Sequence, residues 1–276
     1  MSAGKGYTDF HVHHHPKHGR IEAKVLLNQM DRAGLEKIAL MSWYGGSLEE
    51  QSANIDAVAG VLAEAPERIY GLAWIEPRHK TPLDYLEKVI ADKKYRGFKM
   101  IPNGWYPCDE QLFPYYRKMV ELNAPCLFHS GILYFNTCSS KHCRPVYYED
   151  LINVDRFRFA LAHISWPWTD ECLALFGQWR SSRTEGKTSE MFIDTTPGTP
   201  PFYREDALKN LMEFGAEDAM LFGTDCLVGK PEDPDRQAET WQERIESDTL
   251  IYRKLAVSDK VIEKILRRNF DRFFGV

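Results

Sequence analysis

Asp9-Phe10-His11-Val12-His13 sets two imidazoles two positions apart inside a short apolar run. Side chains alternate along a strand, so His11 and His13 share one face, where they can bind one ion, and Phe10 and Val12 are expected on the other. The same kind of ending recurs along the chain. Pro125-Cys126-Leu127-Phe128-His129, Phe159-Ala160-Leu161-Ala162-His163 and Met220-Leu221-Phe222-Gly223-Thr224-Asp225 are apolar runs that close on a histidine or an aspartate. Eight strand-like runs emerge: Tyr7 to His13, Lys37 to Ser42, Ile69 to Ile75, Gly97 to Ile101, Cys126 to His129, Phe159 to His163, Met191 to Thr195 and Ala219 to Phe222.

Between them lie segments with apolar residues at three- and four-residue intervals, among them Ala23 to Ala33, Ser47 to Ala65, Pro82 to Lys94, Glu110 to Asn123, Thr169 to Arg180 and Arg204 to Phe214. That periodicity is helical, and strand–helix repeated eight times predicts an α/β chain folded as a (β/α)8 TIM barrel. The strands are short continuous apolar runs, as a parallel sheet covered by helices requires. Pro231 to Ser247 reads as a charged, proline-broken insertion, and Asp259 to Phe274 as one closing amphipathic helix. No linker or low-complexity tract divides residues 1–276, so a single domain is expected. In such a barrel His13, His129, His163 and Asp225 all fall at the C-terminal ends of their strands, the face that carries active sites.

Composition agrees with a large core and narrows the partners. The chain of 276 residues is 43% hydrophobic and 13% aromatic, with a formal net charge of −5. That balance argues against broad nucleic-acid binding and gives no basic membrane-binding surface, leaving a small-molecule substrate as the expected partner. A homo-oligomer is compatible with the composition. The first residues lack the apolar stretch of a secretory signal, and no apolar run is long enough to cross a bilayer, so a cytoplasmic location is expected. The six cysteines are scattered, and reduced thiols are the expectation in a chain that does not need disulfide staples.

With these motifs in order, the chain resembles the amidohydrolase superfamily, and within it the branch that includes aminocarboxymuconate-semialdehyde decarboxylase. The resemblance runs from Asp9–His13 through Gly97-Phe98-Lys99-Met100-Ile101-Pro102, Phe128-His129-Ser130-Gly131, Leu161-Ala162-His163 and Gly223-Thr224-Asp225 to the terminal Asn269–Gly275. It implies that His11, His13, His129 and Asp225 bind a divalent metal and that His163 contacts substrate or the reactive water. Neutral imidazoles with a carboxylate suit one Zn²⁺, or Mn²⁺, and an ion with an open position lowers the pKa of bound water from ~16 to ~7. Asp225 then serves as ligand and base, and His163 polarises a carbonyl.

Lys99 divides the mechanism. The resemblance allows a carbamylated lysine bridging two metals, but the matched branch favours a free lysine beside one metal, binding an anionic substrate. Trp43, Tyr44, Arg78, Arg144 and Trp166 join Lys99 as expected substrate contacts, with Trp105, Tyr106, Tyr134, Phe135, Tyr147 and Trp168 adding aromatic surface at the same end. His13/His15 is a competing metal pair, disfavoured because Pro16 should end the strand. His14, His15 and His18 are expected at the surface or mouth. Cys138, His142 and Cys143 fit no standard zinc spacing and read as an ordinary lid loop. The leading expectation is a metal-dependent hydrolase of a small anionic cyclic or aromatic compound. Non-oxidative decarboxylation of an aromatic or unsaturated acid is the runner-up, and a non-catalytic metal-binding barrel is the third reading.

Overall fold

The computed structural model describes residues 6–134, 137–229 and 234–276. Among these, the strands are β1 (Tyr7–His14), β2 (Leu35–Met41), β3 (Ile69–Trp74), β4 (Tyr95–Met100), β5 (Cys126–Phe128), β6 (Arg158–Leu161), β7 (Glu190–Asp194), β8 (Met220–Leu221) and β9 (Cys226–Val228). The helices are α1 (Ala23–Ala33), α2 (Leu48–Glu64), α3 (Leu83–Ala91), α4 (Phe113–Glu121), α5 (Thr169–Ser182), α6 (Pro201–Glu213), α7 (Pro234–Lys254), α8 (Asp259–Glu263) and α9 (Asn269–Phe274). Local chemistry sets several of these ends. Ser47 accepts the Glu50 N–H as the cap of α2, and α1 stops at Gly34, which takes the left-handed conformation that closes a helix.

All ladder pairs are parallel, in the order β8-β7-β6-β5-β4-β3-β2-β1-β9. Parallel neighbours need a crossover, and the intervening helices supply it. The sheet curls into the expected α/β barrel, but the barrel is not fully closed. After β8 the chain leaves the ladder through Asp225, whose φ is 60°, and resumes as β9 beside β1. Two backbone bonds join the edges here, from Phe10 N–H to the Phe222 carbonyl and from Asp225 N–H to the His11 carbonyl, each 2.8 Å. A further strand, β9, therefore follows Asp225, where the sequence reading ended the last strand at Phe222.

Three more expectations change. Alternation in β1 is broken by a register shift between Asp9 and Val12, and the extra residue turns Phe10 inward. Its ring lies 4.7 Å from that of Phe273 and joins an interior cluster with Leu72, Leu127 and Phe192, while Val12 faces the helices. The Pro231–Ser247 segment, whose residues 231–233 lie outside the described residues, is from Pro234 onward part of α7. Trp241, Ile245 and Tyr252 bury the inner face of this helix. The closing helix is three pieces, with a π turn at Lys264–Arg268 between α8 and α9. α9 drives Phe270, Phe273 and Phe274 into the floor of the barrel.

Candidate active site

The C-terminal strand ends enclose a cavity of roughly 280 Å³ that His11, His13, Lys99, His129, His163 and Asp225 all line. Inside it three donors gather. His11 Nε2 lies 3.1 Å from His13 Nε2, and Asp225 Oδ1 lies 3.6 Å and 3.2 Å from those two nitrogens. Bonds of ~2.0–2.2 Å to a tetrahedral ion put ligand atoms roughly 3.4 Å apart, so the three atoms fit one divalent metal. They form the one such group among the described residues.

The orientation of His11 is fixed from behind. Its Nδ1 donates to Asp194 Oδ2 at 2.5 Å, leaving the Nε2 lone pair directed at the cluster. Asp194 is fully buried at the end of β7 and also takes the Thr196 N–H at 2.9 Å and the Thr196 hydroxyl. Sequence reasoning missed Asp194. The available signal was an acid at an inward-facing strand end, in register with the other site residues. Gly223 explains why β8 can pass so close, because a Cβ there would lie 2.7 Å from the Cβ of His11.

His163 is buried, with its ring 5.1 Å from His11 and 4.9 Å from His129. It is held by three successive left-handed residues, His163, Ile164 and Ser165, with φ of 62°, 49° and 56°. Non-glycine residues rarely adopt this conformation, and such strain persists where surrounding packing enforces it. Gly198 permits that packing, since a Cβ on it would come within 2.7 Å of the His163 Cβ. Burial pushes the imidazoles of His11, His129 and His163 toward the neutral form, with the positive charge of Lys99 acting in the same direction. Neutral imidazole is the form that binds a metal.

Lys99 is fully buried, and its Nζ has no hydrogen-bond partner among the described residues. Burial lowers its pKa to about 8, against the opposing pull of Asp194 and Asp225. His129 lines the cavity but stands outside the three-donor group. Its Nε2 faces the Ile132 carbonyl at 3.2 Å.

The expected substrate contacts divide into two places. Trp43 and Trp166 line the first cavity; Tyr44 and Arg78 line an adjoining one of roughly 210 Å³, which also takes in Trp43. Arg78 is not a free cation, because Glu76, another residue the sequence reading passed over, binds its Nε at 2.9 Å and its Nη2 at 3.1 Å. Arg144 lines neither cavity. Glu171 holds its guanidinium on the rim, 5.5 Å over the Trp168 ring. His14 is buried rather than surface-exposed, because β1 runs one residue further than expected and pairs it with Val228. His15 packs on Trp43 at 4.4 Å, and His18 meets the Val228 carbonyl at 3.2 Å.

The described residues of the loop after β5 are tied to the loop after β4. Asn103 Nδ2 donates to Cys138 Sγ at 3.2 Å, the Cys143 thiol donates to the Pro102 carbonyl at 3.2 Å, and Tyr106 packs 4.5 Å from Tyr147. Tyr134 on the same loop lines the first cavity and is 74% exposed. Phe135 lies outside the described residues. No helix among the described residues is long and apolar enough to cross a membrane.

Comparison with known proteins agrees with this geometry. A family model described as amidohydrolase matches residues 9–276. No curated protein matches. A probable 2-pyrone-4,6-dicarboxylic acid hydrolase from Acinetobacter baumannii, with citric acid bound, superposes with a TM-score of 0.67 at 16% identity, covering 98% of this chain and 100% of its own. The 2,6-dihydroxybenzoate decarboxylase from Rhizobium gives 0.67 at 16% identity, covering 99% of each chain. A 5-carboxyvanillate decarboxylase from Novosphingobium aromaticivorans, with manganese and a nitrobenzoic acid bound, gives 0.65 at 14% identity over 99% of this chain and 98% of that one. At these identities the likeness is one of fold.

Proposed function

We propose, from the premise that the chain belongs to the amidohydrolase family, that it is a metal-dependent hydrolase of a small anionic cyclic or aromatic compound, such as a lactone or cyclic amide. The observation that carries this reading is the group of His11, His13 and Asp225 donor atoms facing the cavity at the barrel mouth. One Zn²⁺ or Mn²⁺ held there supplies Lewis acidity and makes water an effective nucleophile near neutral pH. Asp225, whose side chain is 40% exposed to the cavity, accepts the proton of the attacking water through its second oxygen. Burial opposes its ionisation, but a hydrogen bond from His13 and the electrostatic attraction of the neighbouring imidazoles outweigh that and hold the carboxyl well below the usual range. His163 donates to the substrate carbonyl as negative charge develops on it. Lys99, as an ammonium with no competing partner among the described residues, draws in the anionic substituent. His129 borders the same space, with its Nε2 against the Ile132 carbonyl, and is the further residue able to help hold the ion.

A second reading is non-oxidative decarboxylation of an aromatic acid. The apolar wall of Trp43, Trp74, Ile101, Leu133 and Trp166 favours it, because a carboxylate losing CO₂ gains from a water-poor site. Metal-loaded protein offered lactones, cyclic amides and aromatic carboxylic acids, scored for acid release against CO₂ release, separates the two. Asp225→Asn is expected to lower hydrolytic turnover by about 10²-fold with only partial metal loss. Full metal occupancy with neither product formed overturns both reactions and leaves a metal-binding barrel.

A further inference from the structure

The two cavities at the barrel mouth are continuous, sharing Trp43, Trp74, Ile101 and Leu133 as common wall. At roughly 280 and 210 Å³, neither alone reaches the ~300 Å³ lower end usual for small-molecule sites, whereas joined they do. The passage between them is aromatic. Trp43 and Trp74 stand 6.3 Å apart at 60°, and Tyr44 is 5.6 Å from Trp74. Trp74 Nε1 is buried with no partner among the described residues, a donor that an occupant would satisfy.

The outer cavity differs from the inner one in charge. The inner carries Lys99 and the three metal-ligating side chains. In the outer, the Arg78 charge is cancelled by the two-point bond from Glu76, whose buried carboxylate also receives Trp105 Nε1 at 3.2 Å. Asn103 is committed to the loop after β5 through Cys138 Sγ and the Ser139 N–H at 3.3 Å. Among the described residues, the groups left to offer include the outer edge of the Arg78 guanidinium and the Thr137 and Tyr44 hydroxyls, donors beside a neutralised ion pair. A second carboxylate brought here would meet the Glu76 carboxylate across a low-dielectric wall.

We infer that the substrate has two parts: an anionic ring seated beside the metal-ligating residues, and an uncharged, hydrogen-bond-accepting tail that passes Trp43 and Trp74 to end against Arg78. The ring end rests on the proposed function above; the tail rests on the outer cavity alone. The test is calorimetric binding to Mn²⁺-loaded protein, with tryptophan fluorescence as a local reporter. The probes are benzoate, 3- and 4-(3-hydroxypropyl)benzoate, and 3- and 4-(2-carboxyethyl)benzoate. At least one hydroxyl-tailed probe should bind about tenfold tighter than benzoate, and the dicarboxylates no tighter than benzoate. Glu76→Gln frees the Arg78 charge and should move the preference toward the dicarboxylate. Arg78→Ala should remove the advantage of the hydroxyl tail, an independent check should Glu76→Gln fold poorly. Benzoate binding with no gain from any hydroxyl tail, or a dicarboxylate preference in the unaltered protein, overturns the inference and leaves the proposed function standing. Failure of every benzoate to bind overturns both.

Discussion

At the floor of the barrel Phe10, Phe192, Phe270, Phe273 and Phe274 pack ring against ring. At the other end of the barrel, Lys99 Nζ and the Nδ1 atoms of His13 and His163 are buried with no hydrogen-bond partner among the described residues. The floor is buried, apolar and packed ring on ring, as a stable core is. The mouth breaks one of the firmest, that buried polar groups are paired, and does so at adjacent positions facing one cavity. Stability and function therefore occupy opposite ends of one sheet, and substitutions at the two ends should affect different measurements.

The largest effect is expected at the mouth. Replacing both His11 and His13 by Ala removes two of the three clustered donors, so metal content should fall to near zero and turnover by at least about 10³-fold. The unfolding midpoint of the metal-free protein should stay close to that of the unaltered apoprotein. Elemental analysis and urea unfolding check the two halves, and full metal retention would sink the ligand assignment. At the floor, Phe273→Ala should do the reverse. It opens a cavity in the interior cluster and should destabilise by about 3–5 kcal/mol, while the molecules that remain folded keep their metal. Parallel loss of metal per folded molecule would mean that the two ends are not independent.

A smaller effect sharpens the boundary between the ends. Asp194 lines neither mouth cavity but orients His11, and Asp194→Asn keeps the side chain's size while removing its charge. Metal affinity should drop by about 10–100-fold, measured by competition with a chelator, with His11 and His13 still in place. An unchanged affinity would mean that packing alone orients His11.

The floor and the mouth were also unequally legible in the sequence. The eight apolar runs and the helical periods between them carried the fold, because each strand is covered on both faces and so reads as apolar. What the runs could not reveal was a backbone event. The extra residue in β1 leaves no compositional mark, and alternation alone put Phe10 on the wrong face. The break at Asp225 likewise depends on a left-handed φ that aspartate tolerates but does not announce. At the mouth, the convergence of His11, His13 and Asp225 was legible because histidine and aspartate stand out at the ends of apolar strands. Asp194 and Glu76 were not, because each acts through another side chain: Asp194 on His11 from a distant strand, and Glu76 on Arg78 two residues away, where only the fold makes the pair part of a cavity wall. The pairing that neutralises Arg78 depends on the tight turn at Pro77–His79, and the Glu171 contact that keeps Arg144 on the rim comes from 27 residues along the chain; neither leaves a compositional mark.

The smallest expected change concerns Lys99, where the two ends meet in one residue. An ammonium buried without a hydrogen bond is a liability to folding, offset only by the acids near it. Methionine has nearly the same length, fills an irregular space well and carries no charge. Lys99→Met should therefore stabilise the protein by about 0.5–2 kcal/mol in urea unfolding, the gain typical of relieving a functional strain. The same change should weaken binding of an anionic ring such as benzoate and leave metal content at one ion per chain. If instead the variant loses metal along with stability, Lys99 carries a negative carbamate shared between two cations, and the single-metal site with a free lysine is wrong. The sign of one stability measurement thus separates a lysine kept for its charge from a lysine kept as a ligand.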